Sequence, residues 1–274
     1  MSGGDAATLD VTSASISGIG GRSANEDALG EVAARCGTCY VISDGAGGHV
    51  GGAVASRLAV DSVVEEVERA GEFSADVIER AFARAQARIA DRQAHDASVA
   101  TMSATVAALL VDRSGRRAVW GHLGDSRILH FRQGVVRSVT RDHSLVQRLV
   151  DAGFVPASRA AEHPNRNVLY GALGAESDTK PTLEREPVAL HDGDAFLLCT
   201  DGFWGRIRAD AIEERLRFCT HVTEWLESMR HAVADGMPAG ADNYTAVGVW
   251  IGSPAEVTVS KPAGNARRIA PREG

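Results

Sequence analysis

The 274-residue sequence predicts one α+β domain with helices outside stacked antiparallel sheets. Three observations predict it. Residues 53–70 and 74–93 carry helical apolar spacing, residues 101–140 hold four short strand-like runs in succession, and residues 9–252 contain no linker or internal repeat.

Residues 1–8 are small, polar and expected to be loose. Residues 12–19 alternate as a strand and deliver a Gly-led loop with Arg22, Glu26 and Asp27, which taken alone reads as a solvated turn. The apolar run Tyr40-Val41-Ile42 then ends abruptly in Asp44, and five glycines follow between Gly45 and Gly52. The two helices come next: Leu58, Val60, Val63, Val64 and Val67 line one, and Val77, Ile78, Phe82 and Ile89 the other.

Runs at 105–112, 118–123, 127–131 and 135–140 are separated by turn signals at 113–115, 124–126 and 132–134, which implies an antiparallel sheet. Such a meander excludes a doubly wound nucleotide-binding fold. Residues 143–174 read as a surface excursion with one short helix near 145–152. A strand at 190–202, helices at 210–219 and 222–234, and a last strand at 246–251 complete the domain. From 253 the chain turns basic and Pro-, Ala- and Gly-rich, as a solvated tail does.

A formal charge of −7 with no dense Lys/Arg stripe argues against a nucleic-acid footprint. No stretch reaches the roughly 18 apolar residues of a membrane span, and Met-Ser-Gly-Gly-Asp lacks the features of a signal peptide, so a cytoplasmic protein is expected. The four cysteines do not form a disulfide scaffold. Cys36-Gly37-Thr38-Cys39 reads as two reduced thiols; a hairpin loop at Gly37-Thr38 would instead face the two sulfurs for a reversible bridge.

Asp44, Asp125, Asp201 and Asp242 each lie where a strand run meets a turn. Gathered carboxylates are costly unless cations hold them, and an all-oxygen set selects Mg²⁺ or Mn²⁺. Two such ions about 3.5–4 Å apart can share a water, lower its pKa and aim it at phosphorus. Arg22 supplies the bidentate fork that a phosphate dianion prefers. The signatures of cysteine phosphatases, P-loops, nucleophile elbows, zincins and EF-hands are all absent.

Five ordered motifs carry a resemblance: Arg22-Ser-Ala-Asn25-Glu26-Asp27-Ala28, Ser43-Asp44-Gly45-Ala46-Gly47-Gly48-His49, Gly124-Asp125-Ser126-Arg127, Cys199-Thr200-Asp201-Gly202-Phe203-Trp204 and Asp242-Asn243-Tyr244-Thr245. Together they resemble the metal-dependent type-2C (PPM) serine/threonine protein phosphatases, bacterial branch, over about residues 11–252. The resemblance implies an α-β-β-α sandwich of two antiparallel sheets with a dinuclear Mn²⁺/Mg²⁺ centre and a flap at 143–175. It implies that Asp44 bridges the ions, the Gly45 carbonyl binds one, and Asp201 and Asp242 bind the other. Asp125 with Asp201 would take a third, weaker ion. Glu26 would act through a metal-bound water, Asp27 would support the ligands, and Arg22 and Asn243 would meet the phosphate.

One position departs from the animal members, which place a His directly after the Asp-Gly. Here it is Ala46, and His49, three residues on, is the candidate general acid beside a water at the third ion or no protein acid at all. His143 and His163 become candidate substrate contacts.

The expected activity is hydrolysis of phosphoserine and phosphothreonine in cytoplasmic targets of Ser/Thr kinases by a monomer. The alternatives are a non-catalytic phosphoprotein-binding regulator and a small-molecule phosphatase.

Overall fold

The computed structural model describes residues 9–252; the expected loose N-terminus (1–8) and basic tail (253–274) lie outside the described residues. In chain order the elements are β1 (Val11–Gly18), β2 (Ala28–Ala34), β3 (Gly37–Ser43), a two-residue β4 (Gly45–Ala46), α1 (His49–Arg69), α2 (Ala75–His95), a two-residue β5 (Ser103–Ala104), β6 (Val106–Asp112), β7 (Arg117–Leu123), β8 (Arg127–Arg132) and β9 (Val135–Val139). There follow α3 (Leu145–Asp151), β10 (Thr182–Ala189), β11 (Ala195–Cys199), α4 (Asp201–Trp204), α5 (Ala209–Phe218), α6 (Val222–Ala234) and β12 (Tyr244–Ile251).

Two five-stranded sheets, β1-β12-β11-β8-β9 and β10-β7-β6-β3-β2, stack face to face. The strands are apolar on consecutive positions because both faces of each sheet are covered. Tyr40, Ile42, Leu109, Phe196, Leu198 and Val249 fill the space between the sheets. Their neighbours Val41 and Leu110 point the other way, against α1 and α2, while Leu197 and Trp250 meet α5 and α6. Burying such a side chain contributes roughly 1.5–3 kcal/mol, so these three apolar layers hold the expected α-β-β-α sandwich together. Ser74 caps α2 by accepting the Asp76 N–H.

Four local expectations change. The runs at 118–123 and 127–131 do not form a hairpin: β7 pairs with β6 and β10, whereas β8 pairs with β9 and β11, so residues 124–126 carry the chain from one sheet to the other. Gly124 makes the crossover at φ 105°, a conformation that side-chain-bearing residues avoid. Strand β10 gave no sequence signal because it is an edge strand, largely exposed, with Pro187 inside it and a register shift between Glu184 and Val188. The four-residue α4 is too short to carry a helical period in the sequence. Finally, Ala34 pairs with Gly37, so the β2–β3 loop is Arg35-Cys36 and Cys39 stands opposite Val32. Cys36 and Cys39 are buried free thiols, as expected of a reduced pair.

A buried ion pair locks the far end of the first sheet. Arg132 donates to both oxygens of Asp194 at 2.7 and 2.8 Å, and the His191 N–H donates at 2.9 Å. Burial raises the Asp194 pKa, but the bonds from Arg132 outweigh it and hold the carboxyl at about 2. The folded value lies below the unfolded one, so this stabilisation is present above pH 4 and lost as pH falls through about 2. Asp194→Ala leaves Arg132 without its carboxylate and is expected to cost about 3 kcal/mol in a urea titration at pH 7.

Candidate metal centre

The expected carboxylates meet at one end of the sandwich because each stands next to a strand end there. Asp44 follows β3, Asp125 sits on the crossover after β7, Asp201 begins α4 directly after β11, and Asp242 precedes β12. Together with Glu26 and Gly45 they line a cleft of about 290 Å³, which the flap residues Asn167 and Leu169 close on one side. The flap is tied back by isolated bridges between Ala104 and Leu173 and between Ser144 and Leu169.

Hydroxyl groups that sequence reasoning passed over set the carboxylates' positions. The Asp44 N–H donates to Thr105 Oγ1 at 3.0 Å, and the Thr105 N–H donates to the Asp44 carbonyl at 2.8 Å. Thr105 Oγ1 also meets Ser126 Oγ at 2.6 Å, joining the end of β3 to the crossover that carries Asp125. Thr200 Oγ1 donates to Asp27 Oδ2 at 3.0 Å, which ties the early loop to Asp201.

On the other side of the crossover, Trp204 Nε1 donates to the Asp125 carbonyl at 2.9 Å. Arg127 stacks 3.5 Å from the Trp204 ring centre and binds both oxygens of Asp142 at 2.8 Å. The only advance signal for Trp204 and Arg127 was their place within the motifs; Thr105 gave none, because a Thr in a strand is ordinary.

Two glycines are required by close approach. A Cβ on Gly45 would come within 2.0 Å of the Gly52 carbonyl oxygen, and one on Gly52 within 1.9 Å of Glu26 Oε2. The start of α1 thereby packs directly on the cleft wall.

The site is electrostatically frustrated. Burial and then the charge of Asp201 push Asp44 well above the usual carboxylate range; burial and Asp201 do the same to Asp125. Burial and then Asp242 raise Asp201, and burial, partly offset by bonds from Thr245 and Thr200, raises Asp27 to about 7. Asp27 Oδ1 and Asp201 Oδ1 are buried and have no hydrogen-bond partner. Buried lone pairs without donors are costly, and a hard cation is the group that would satisfy an all-oxygen cluster. Among the described residues no three His, Cys, Asp or Glu side chains converge closely enough to hold an ion by themselves. An ion here would therefore rely also on a backbone carbonyl and water, the habit of Mg²⁺ and related ions.

Arg22 stands at the rim, half-exposed, with Nη2 2.9 Å from Asp242 Oδ2. Asn243 corrects its expected role. Its amide nitrogen donates to the Ile19 and Ala24 carbonyls at 2.8 and 2.9 Å, and its oxygen accepts the Glu26 N–H at 2.8 Å. Both amide hydrogens are spent, so Asn243 anchors the Arg22 loop to β12 rather than binding phosphate.

His143 is likewise not a substrate contact. It is buried, stacked on His122 at 4.7 Å, accepts the Gly124 N–H and meets Thr182 Oγ1 at 3.0 Å. His49 is the first residue of α1, but its side chain lies outside the described ones.

A model of the protein phosphatase 2C family matches residues 17–243. The chain is 32% identical over 209 residues to the serine/threonine protein phosphatase PstP of Mycobacterium tuberculosis, a match spanning 75% of this chain and 39% of that relative's length. It is 29% identical over 206 residues to the protein phosphatase PhpP of Streptococcus pneumoniae, covering 70% of this chain and 78% of PhpP. The solved catalytic domain of PstP, in complex with two manganese ions, matches with a TM-score of 0.77 at 27% identity, over 89% of this chain and 100% of that one.

Proposed function

The chain belongs to the protein phosphatase 2C family, and from that premise we propose that it hydrolyses phosphoserine and phosphothreonine in proteins, with Mn²⁺ or Mg²⁺ bound among its strand-end aspartates. The observation that carries the reading is the meeting of Asp44, Asp125, Asp201 and Asp242 in one cleft, with raised carboxyl pKa values and a buried oxygen of Asp201 lacking a donor. A purely structural role would leave that cost without compensation.

Asp44 and Gly45, with Asp201 and Asp242, would hold two ions, and Asp125 with Asp201 a third. Bound ions of this kind supply an activated water and offset the charge of the phosphoryl group. The protein's own contribution is placement. Arg22 projects its guanidinium over the Asp242 side of the cleft, where a fork of N–H donors orients a phosphate dianion and neutralises part of its charge. Asn243 holds the Arg22 loop in place through Ile19, Ala24 and Glu26, and Asp27 holds the Asp201 side through Thr200. Asn167 and Leu169 shield the cleft from one side.

The substrates we assign are products of Ser/Thr kinases in the cytoplasm; no helix among the described residues is long and apolar enough to cross a membrane. Every carboxylate expected of an active centre is present, which weighs against the non-catalytic regulator. Phosphate release from a phosphothreonine peptide is expected with Mn²⁺ and not in excess EDTA. Undiminished release in EDTA would overturn the proposal.

A further inference from the structure

We propose that the groove adjoining the metal cleft at the flap residues Arg166 and Asn167 receives acidic residues flanking the phosphorylated side chain, so that the protein prefers phosphopeptides of acidic sequence. This deepens the phosphatase reading and rests on it. The groove holds about 530 Å³ and runs between the flap and the segment joining α4 to α5. Arg127 stacked on Trp204 lies at its inner end, Arg166 comes from the flap, and Arg206 and Arg208 from the opposite wall.

The charge balance of these walls departs from that of the whole chain, which is −7. Four arginines line the groove against two aspartates, Asp142 and Asp210. Asp142 is taken up by Arg127, and Asp210 by Arg208 at 3.1 Å. Arg206 spends its donors on the carbonyls of Val233 and Asp235, which leaves its charge uncancelled. Arg166 is exposed and makes no ion pair with another described side chain.

The groove and the cleft are also neighbours along one piece of chain: Arg166 lines the groove and Asn167 the cleft. A peptide whose phosphoryl group sits in the cleft therefore lays its adjacent residues along the basic wall. Carboxylates there gain an attraction that a neutral sequence lacks.

The test compares a phosphothreonine peptide flanked by Asp and Glu with the same peptide flanked by Asn and Gln, both with Mn²⁺. The native protein is expected to favour the acidic peptide by about five- to tenfold in kcat/KM, as a few rim charges allow. That preference should collapse in Arg208→Glu, which turns the neutral, exposed Arg208–Asp210 pair into two negative charges on the groove wall, fall in Arg166→Ala, and shrink in 0.5 M salt. Equal rates for the two peptides in the native protein, or a ratio that neither substitution moves, would overturn it.

Failure of the phosphatase reading has a different signature: no turnover of either peptide or of an aryl phosphate. In that event the same ratio is read from fluorescence anisotropy of labelled phosphonate versions of both peptides. An acidic preference sensitive to Arg208→Glu would uphold the groove, and its absence would reject it.

Discussion

Asp201→Asn is expected to lower Mn²⁺-dependent phosphate release by about a thousandfold or more, while raising the melting temperature of the metal-free protein. The two effects have opposite signs because Asp201 is the hub of the cluster. Its charge is the leading cause, after burial, of the raised pKa values of both Asp44 and Asp125. Asparagine keeps the volume and removes that charge. The metal-free protein then relieves part of the repulsion and gains about 2–5 °C, the scale of a one or two kcal/mol change in a chain of this size.

An ion, by contrast, loses a ligand that two of the three proposed positions share. Turnover of a phosphothreonine peptide and a thermal melt in EDTA check both halves. Activity and stability falling together would mean that Asp201 is a structural residue, and unchanged activity would remove it from the metal set.

In the absence of divalent metal, stability is expected to fall as pH rises from about 4 to about 7, and Mn²⁺ is expected to offset much of that fall. Burial raises the Asp27 carboxyl to about 7, with Asp201 and Asp242 adding to it, and Asp44 and Asp125 move in the same direction. A folded-state pKa above the unfolded value means that the folded protein binds the proton more tightly. The resulting stabilisation is complete below the unfolded pKa near 4 and disappears as pH rises through the folded one. For Asp27 alone it is on the order of 4 kcal/mol.

Metal binds the ionised cluster, so its stabilisation grows with pH and reaches about 3 kcal/mol at a hundredfold excess over Kd. Melting curves at pH 5 and pH 8, with EDTA and with Mn²⁺, measure this directly. A metal-free protein equally stable at both values would show that the carboxylates are not mutually repelling. Asp194 acts in the opposite direction and at lower pH, so the two contributions separate on the pH axis.

Much of the site was legible because its carboxylates stand in recognisable local frames. Asp44 ends a β-branched run before glycines, Asp201 opens Asp-Gly after Leu197–Thr200, and Asp242-Asn243 precedes an apolar strand. What escaped has no local frame. Thr105 looks like any strand Thr until it meets Ser126 and the Asp44 backbone. Asn243 carries the polarity of a phosphate ligand, yet three backbone groups from a loop more than 200 residues away consume it. Arg166 is one of many arginines until the flap sets it between groove and cleft.

The sequence by itself determined most of the strands, the covering helices, the strand-end carboxylates and the family, because periodicity, turn chemistry and motif order are written in neighbouring residues. The tertiary structure decided which sheet each strand joins, that Gly124-Asp125-Ser126 crosses between sheets, that the hairpin turns at Arg35-Cys36, and which polar groups are already spent. Those outcomes depend on pairings between distant segments, where burial on both sheet faces selects one register and excludes its neighbours.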